Sequence, residues 1–372
     1  MINNKKKILI PLIFIYILLL IFIYLYSSIY IHTFSPNQSS NINVTKNIEV
    51  KTIQKLTYGK YNHGSSIASN DNKIFITWYS GSNETNPDTK IVFVSAEKKK
   101  GSWKFSKVKS VMNKDEFQAD TKKNIHHLGN PIIFHNGDKL WIFFSSSTGG
   151  WSTSSLNSIY SLDDGKTWSK PHTIISSPVF NFSSLTREAA VKLNGGYLAI
   201  PMYKEFNNLN GRWFVFNSNG VLVSVHEMTN TGVNLQPTVV PITASHAVAY
   251  YRQMASYTKK IYYNETYDAG KTWSKSIATK LDNPDASIAA LGVKDGILMA
   301  YNNQTKGRDN LSLSYRNFNS TQWNKLYTFP NKLDGELSYP SFMSYGDSIM
   351  LSFSDKHAHA IRIVEITGEQ SK

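Results

Sequence analysis

Residues 161–170 read SLDDGKTWSK, and residues 266–275 read TYDAGKTWSK. Each copy follows an apolar segment, IYSL or IYYNETY, and both fit the pattern Ser/Thr-x-Asp-x-Gly-x-Thr-Trp. The matching residues are Ser161, Asp163, Gly165, Thr167 and Trp168, then Thr266, Asp268, Gly270, Thr272 and Trp273. An Asp so placed accepts bonds from nearby backbone N–H groups, a Gly supplies positive φ, and a Trp folds back to close a hydrophobic corner. Two degenerate copies end at Trp103 (SAEKKKGSW) and Trp323 (SYRNFNSTQW). The four tryptophans are separated by steps of 65, 105 and 50 residues, the middle one reading as two units with one lost box. Units of about fifty residues, each a few strands long, mark a propeller. The sequence after the first fifty residues accommodates six such blades; the alternative is a β-sandwich with two coincident hairpins.

Working outward, the segments between turns are short and apolar: KIFITWYS, KIVFVSA, LWIFFSS, GYLAIPMY, GILMAYN. They are rich in β-branched and aromatic residues at strand lengths, and nothing past residue 50 keeps a 3.6-residue period, so residues 51–368 are expected to be all-β. The 372 residues, 41% hydrophobic and 18% charged, suffice for a large core. Cysteine is absent, which excludes disulfides and thiolate metal sites. The histidine pairs 126–127 and 357/359 do not assemble a ligand set at metal-site spacing, so neither a metal nor a cofactor is expected.

The amino terminus bears on location. Lys5 to Lys7 precede ILIPLIFIYILLLIFIYLY at 8–26, an uncharged run long enough as a helix to cross a hydrocarbon core ~30 Å thick. It ends in SSIYIHTF without a small-residue cleavage pattern, so residues 1–31 are expected to be a cytoplasmic stub and a single retained transmembrane helix. The flanking lysines keep that end in the cytoplasm and export the rest. Residues 32–50, polar and rich in Asn and Ser, read as a tether. This topology argues against nucleic acid as a partner and is compatible with a second membrane subunit. Net charge is +14, yet only six of the 40 basic residues are arginines: Arg187, Arg212, Arg252, Arg308, Arg316 and Arg362. Lysine does not replace a planar fork at a carboxylate, so those six invite scrutiny.

The repeated turn resembles the Asp-box, or BNR repeat, of sialidases and related six-bladed propellers. The box carries the fold and little of the function. The resemblance implies cleavage of glycosides of 2-keto sugar acids, whose anomeric carbon bears a carboxylate. Arginines would grip that carboxylate, an acid would protonate the leaving oxygen, and a Tyr activated by a Glu would attack, since a second carboxylate would be repelled. In GSNETNPD, ahead of the strand leading to the first box, the resemblance makes Asp88 the candidate acid and Glu84 the alternate. LTREAAVKLNGGYLAIPMY resembles the sialidase strand that carries the Glu partner of the nucleophile, which points to Glu188, with Arg187 beside it as a substrate contact. KGRDNLSLSYRN followed by GELSYPSFMSY resembles the arrangement of a carboxylate-binding Arg and the nucleophilic Tyr, implying those roles for Arg308 and Tyr339. Glu336 is the other candidate to take the Tyr proton, and Arg362 a third arm on the carboxylate. The family's Arg-Ile-Pro motif is missing; Lys60 or His63 stands in its place. Trp151 in GGWSTSSLN is expected to stack on a sugar, and Asp285 in NPDAS to sit on a substrate loop.

The chain is therefore expected to be a membrane-anchored, export-side exo-glycosidase releasing sialic acid or a Kdo-like sugar acid from a glycolipid or glycan. An anchor near a bilayer makes a membrane glycolipid such as a Kdo-bearing lipid A core a sensible substrate. The alternatives are a non-catalytic propeller that binds glycan or scaffolds a partner, and a lyase acting on uronic acid polymers.

Overall fold

The structure, a computed structural model, describes residues 32–369 apart from 37, 178–182, 207, 230–232, 255–257 and 331–334, together with 11 and 14–18. The apolar run at 8–26 lies for the greater part outside the described residues, and among those described no helix is long and apolar enough to cross a membrane. Six antiparallel sheets, each a four-stranded path, follow one another along the chain. Their innermost strands are Tyr61–Ser69, His127–Asn136, the split pair Leu185–Thr186 and Val191–Lys192, Asn234–Pro241, Ala289–Val293 and Leu337–Tyr345. Serine and threonine hydroxyls tie neighbouring innermost strands into a ring. The Ser66 hydroxyl accepts from Ile133 N, Thr238 from Ala290 N, and Ser341 from Ile67 N. The six-bladed all-β propeller expected from the repeats is the fold.

Second strands such as Lys73–Gly81 are buried on both faces, which is why they read as continuous apolar runs rather than alternating ones. The core lies between blades: Ile76, Trp78 and Val92 of the first pack on Met350, Ile361 and Ile363 of the last. The outermost strand of the sixth blade is Asn43–Leu56, antiparallel to Ala360–Glu369. Residues 43–50 are thus part of the propeller, not of a tether. Two register shifts in this pairing break the alternation that would have announced a strand. The residues before it also bind the ring. Ser35 N donates to Lys192 O, Phe34 N to Ala244 O and Ser40 N to Gly292 O, while Phe34 is buried edge-on against Trp213.

Both boxes close as their residue types require. In the first, Asp163 accepts from Thr167 N at 2.9 Å and from its hydroxyl at 2.7 Å, and Ser161 Oγ accepts from Gly165 N at 2.7 Å. The second repeats this with Asp268, Thr272, Thr266 and Gly270. Each box tryptophan, and each degenerate one, meets an aromatic ring of the preceding blade: Trp103 on Tyr345, Trp168 on Phe93, Trp273 on Trp213, Trp323 on Tyr250. The lost box lies in the third blade, where Gly220 keeps the positive φ and the close approach to an aromatic, Trp141. At Gly270 (φ +96°) an added Cβ would stand 2.3 Å from the Trp213 ring. Gly270→Ala is therefore expected to cost about 2 kcal/mol or more through backbone strain and overpacking, read as a lowered Tm in thermal unfolding.

Candidate active site

The innermost strands share a local device. Four of the six carry a register shift near their first residues, between His63 and Ser66, Gly129 and Ile132, Leu235 and Thr238, and Ser338 and Ser341. Inside each shift one residue is left-handed: Gly64, Asn130, Gln236 and Tyr339, with φ of +63°, +46°, +50° and +55°. In three of them a proline follows, as GNPIIF, LQPTVV and SYPSFM. Proline fits here because an innermost strand is an edge strand and a bulge frees its missing N–H from the ladder. For a ring as large as Tyr339 this conformation is a true outlier, of the kind that clusters where a side chain must be aimed.

Tyr339 is 8% exposed. Its ring is flanked by the guanidinium of Arg187 at 5.0 Å, that of Arg308 at 5.7 Å, and the His63 ring at 4.3 Å. Arg187, 1% exposed, comes from the split strand of the third blade. It donates to Ser65 O at 3.1 Å and Pro340 O at 3.2 Å, joining first, third and sixth blades under the phenol. Arg308 donates to Glu336 Oε1 at 3.3 Å and to the Asp285 carbonyl at 2.8 Å. The Asp285 carboxylate faces Arg252 Nε at 3.4 Å. Asp285 itself is left-handed, φ +68°, so one residue positions two arginines, one by its carbonyl and one by its carboxylate.

The acids differ in environment. Burial pushes the Glu188 carboxyl up to about 7, against the pull of Arg187, a hydrogen bond from Ser287 (2.8 Å) and Arg252. Burial also opposes ionisation of Glu336, yet the Ser338 hydroxyl, Arg308 and Lys356 hold its carboxyl below the ordinary value. Desolvation drives His63 down to about 3, with Glu336 opposing and Arg187, Arg308 and Lys356 reinforcing, so the imidazole beside Tyr339 is neutral. Neither Glu188 nor Glu336 is hydrogen-bonded to the Tyr339 hydroxyl among the described residues. No three His, Asp or Glu side chains among them gather as a metal-binding group.

Residues 72–351 match the family described as BNR repeat-like domain. The chain belongs to that family. No curated protein matches the BNR repeat-like chain in sequence. Among solved structures, a protein of unknown function from Dyadobacter fermentans superposes with a TM-score of 0.66 at 11% identity, covering 86% of this chain and 99% of that one. The Hadza microbial sialidase Hz136 gives 0.66 at 15% identity, with coverage of 83% and 66%. The intramolecular trans-sialidase from Ruminococcus gnavus, in complex with oseltamivir carboxylate, gives 0.64 at 13%, with 90% and 98%. At these identities the likeness is one of fold.

Of the residues expected from the sequence, the propeller brings Tyr339, Arg308, Arg187, His63, Glu336 and Asp285 together, with Glu188 buried behind Arg187. Glu84 is at the rim: its carboxylate lies 3.5 Å from the Tyr61 hydroxyl, and its field reaches Tyr61 and Tyr79. Asp88 is not turned inward. It is exposed and accepts from Ser82 N and Ser82 Oγ, both at 3.0 Å, closing its own loop. Arg362 is likewise outside the cluster, because its Nε and Nη2 both bind Asp355 of the neighbouring strand and it lies over Phe353. Trp151 is half-buried at the rim against His127 and the cluster of Leu185, Tyr203 and Leu235. The sequence marked Arg252 only as one of six arginines, without a role, though it is 8% exposed on the second strand of the fourth blade. Nor did it point to the buried Tyr203–Gln236 pair, where Gln236 Nε2 donates to the phenol at 3.2 Å. The recurrent x-Pro at the start of alternate innermost strands was the available signal for Gln236.

Proposed function

We propose that the chain is a membrane-anchored exo-glycosidase of the sialidase type, removing a terminal 2-keto-3-deoxy sugar acid, sialic acid or Kdo-like, from a glycan. One observation carries this: Tyr339, held in a strained conformation, stands amid three guanidinium groups, those of Arg187 and Arg308 against its ring and that of Arg252 joined to Arg308 through Asp285. Arg308 and Arg252 are the more exposed cations, with side chains 29% and 10% exposed against 1% for Arg187, and would receive the substrate carboxylate. Tyr339 Oη would form a bond to the anomeric carbon as the bond to the leaving oxygen breaks. The leaving oxygen would take a proton from the Glu84 carboxyl, and the Tyr proton would pass to Glu336, which the Ser338 hydroxyl, Arg308 and Lys356 keep ionised. Water activated by deprotonated Glu84 would then cleave the Tyr–sugar bond, and Glu336 would return the phenol proton.

Binding without turnover is a second reading. It draws on the fact that Arg252 and Arg308 already face Asp285 and Glu336. Incubation with sialyl-lactose and with Kdo-lipid A, followed by product analysis, separates the readings. A reducing sugar acid supports hydrolysis, an unsaturated product absorbing in the ultraviolet indicates a lyase, and binding alone indicates a lectin-like role. On whichever substrate turns over, Glu84→Gln is expected to lower kcat by about 10²-fold or more, and Asp88→Asn to change it by less than about threefold. Equal loss in the two variants would return the acid role to the loop as a whole.

A further inference from the structure

The path of the amino-terminal segment gives the site a direction. All innermost strands run the same way, from the mouth holding His63, Arg187, Asp285 and Tyr339 to an opposite mouth lined by Ile67, Ile133, Val191, Val239, Leu291 and Phe342, one from each blade. Gln38 and Ser39 lie across that opposite mouth. The strap of which they are part is fixed at both ends and between. Asn194 N donates to Thr33 O, the Gln38 side chain donates to Lys192 O and accepts from Lys192 N, and Lys294 N donates to Ile42 O. Gly292 allows close contact with the strap, since a Cβ there would stand 2.2 Å from Ser39 Oγ. His32 rests on Tyr197 at 4.6 Å, and Phe34 is 2% exposed between the third and fourth blades. The chain before residue 32 therefore joins the propeller on the face opposite the candidate active site.

Two lengths make this consequential. Six Cα steps separate Tyr26, the last residue of the apolar run, from His32, a reach of at most about 22 Å. Nine-residue strands such as Tyr61–Ser69 make the blades about 30 Å tall. A connection shorter than the blade height does not let the propeller turn its Tyr339 mouth onto the bilayer from which the chain emerges.

We propose that the site faces away from its own membrane and takes acidic-sugar glycans presented in trans, soluble or on an opposing surface, rather than a glycolipid of the bilayer that anchors it. This rests on the sialidase-type reading and on the 8–26 run as the anchor, and it replaces the glycolipid in the same membrane that anchoring alone suggests.

The chain contains no cysteine, so single-thiol variants report position cleanly. Lys123→Cys, exposed four residues before the strand starting at His127, marks the site face; Asp138→Cys, exposed in the turn after that strand, marks the opposite face. Full-length protein in vesicles with the propeller outward is labelled at either thiol, and energy transfer to a headgroup dye is measured. The label at 138 is expected to transfer several-fold more efficiently than that at 123; equal or reversed transfer overturns the orientation. The same vesicles are then given a sialylated glycolipid in their own bilayer, the same lipid in separate vesicles, or soluble sialyl-lactose. Release from the protein's own bilayer is expected at least about tenfold below the other two per accessible sugar, and equal release overturns the substrate assignment. Absence of release from all three, and from the same three presentations of a Kdo-bearing sugar, with the expected label geometry, removes the hydrolase reading and leaves the orientation supported.

Discussion

Tyr339→Phe is expected to lower sugar-acid release by at least about 10³-fold while leaving stability within about 1 kcal/mol of the parent. The two halves of that expectation come from different atoms. The ring makes the contacts that hold the sixth blade's bulge: Arg187 at 5.0 Å, Arg308 at 5.7 Å and His63 at 4.3 Å. Phenylalanine keeps the ring, so the packing and much of the cation–π attraction survive. The hydroxyl is the only protein nucleophile that the proposed mechanism uses, and its loss leaves binding and charge stabilisation alone. Progress curves on sialyl-lactose or Kdo-lipid A, beside thermal unfolding of both proteins, make the test. Release undiminished in the Phe variant would remove Tyr339 from the chemistry, whereas a large drop in Tm would mean that the phenol is structural.

Glu188→Gln is expected to make the protein more stable above pH 7, by up to the order of 3 kcal/mol, the worth of a carboxyl held at about 7 instead of its ordinary 4.5. A raised folded-state pKa means that between pH 4.5 and 7 the native protein holds a proton which the unfolded chain has already released. Stability from this group is full below 4.5 and is lost as pH rises through the window. The amide mimics the protonated acid, so the variant lacks that decline. The cost of leaving Arg187 without its carboxylate is limited, since the guanidinium retains the Ser65 and Pro340 carbonyls and the Tyr339 ring. Histidines whose charging burial opposes, His63 and His127 among them, act with the opposite sign but cancel in the difference between the two proteins. Chemical unfolding of both from pH 4.5 to 8.5 gives that difference directly; a flat difference curve would mean that Glu188 is ionised throughout.

The propeller was legible because its signals are local. A box uses five residues within eight positions, and its Gly and Trp are demanded by contacts any blade must make with the one before it. Even the lost copy kept its glycine, Gly220, because an aromatic ring still presses on that turn. Arg308 and Tyr339 were legible for a related reason, each lying in a recognisable local context, Arg308 between the second and third strands of the fifth blade and Tyr339 at the start of the sixth. Arg252 was not: it lies within the uniformly buried strand AVAYYRQ, and only closure of the ring turns it toward Asp285. Asp88 and Glu84 sit four residues apart on one loop, and which of them points inward depends on Ser82 capturing the former, a contact without a sequence signature. Arg362 looked like a free arm because its partner, Asp355, stands on the adjacent strand.

The pairing of Asn43–Leu56 with Ala360–Glu369 has a kinetic corollary. The first strand to emerge in synthesis finds its place only after the last has been made, so the circle stays open, with a naked strand at each end, until elongation is nearly finished. Contacts this remote in sequence slow folding, and unpaired edges invite wrong partners in the interval. A chain trimmed before residue 57 would leave that gap permanently, and is expected to aggregate where the intact protein remains dispersed.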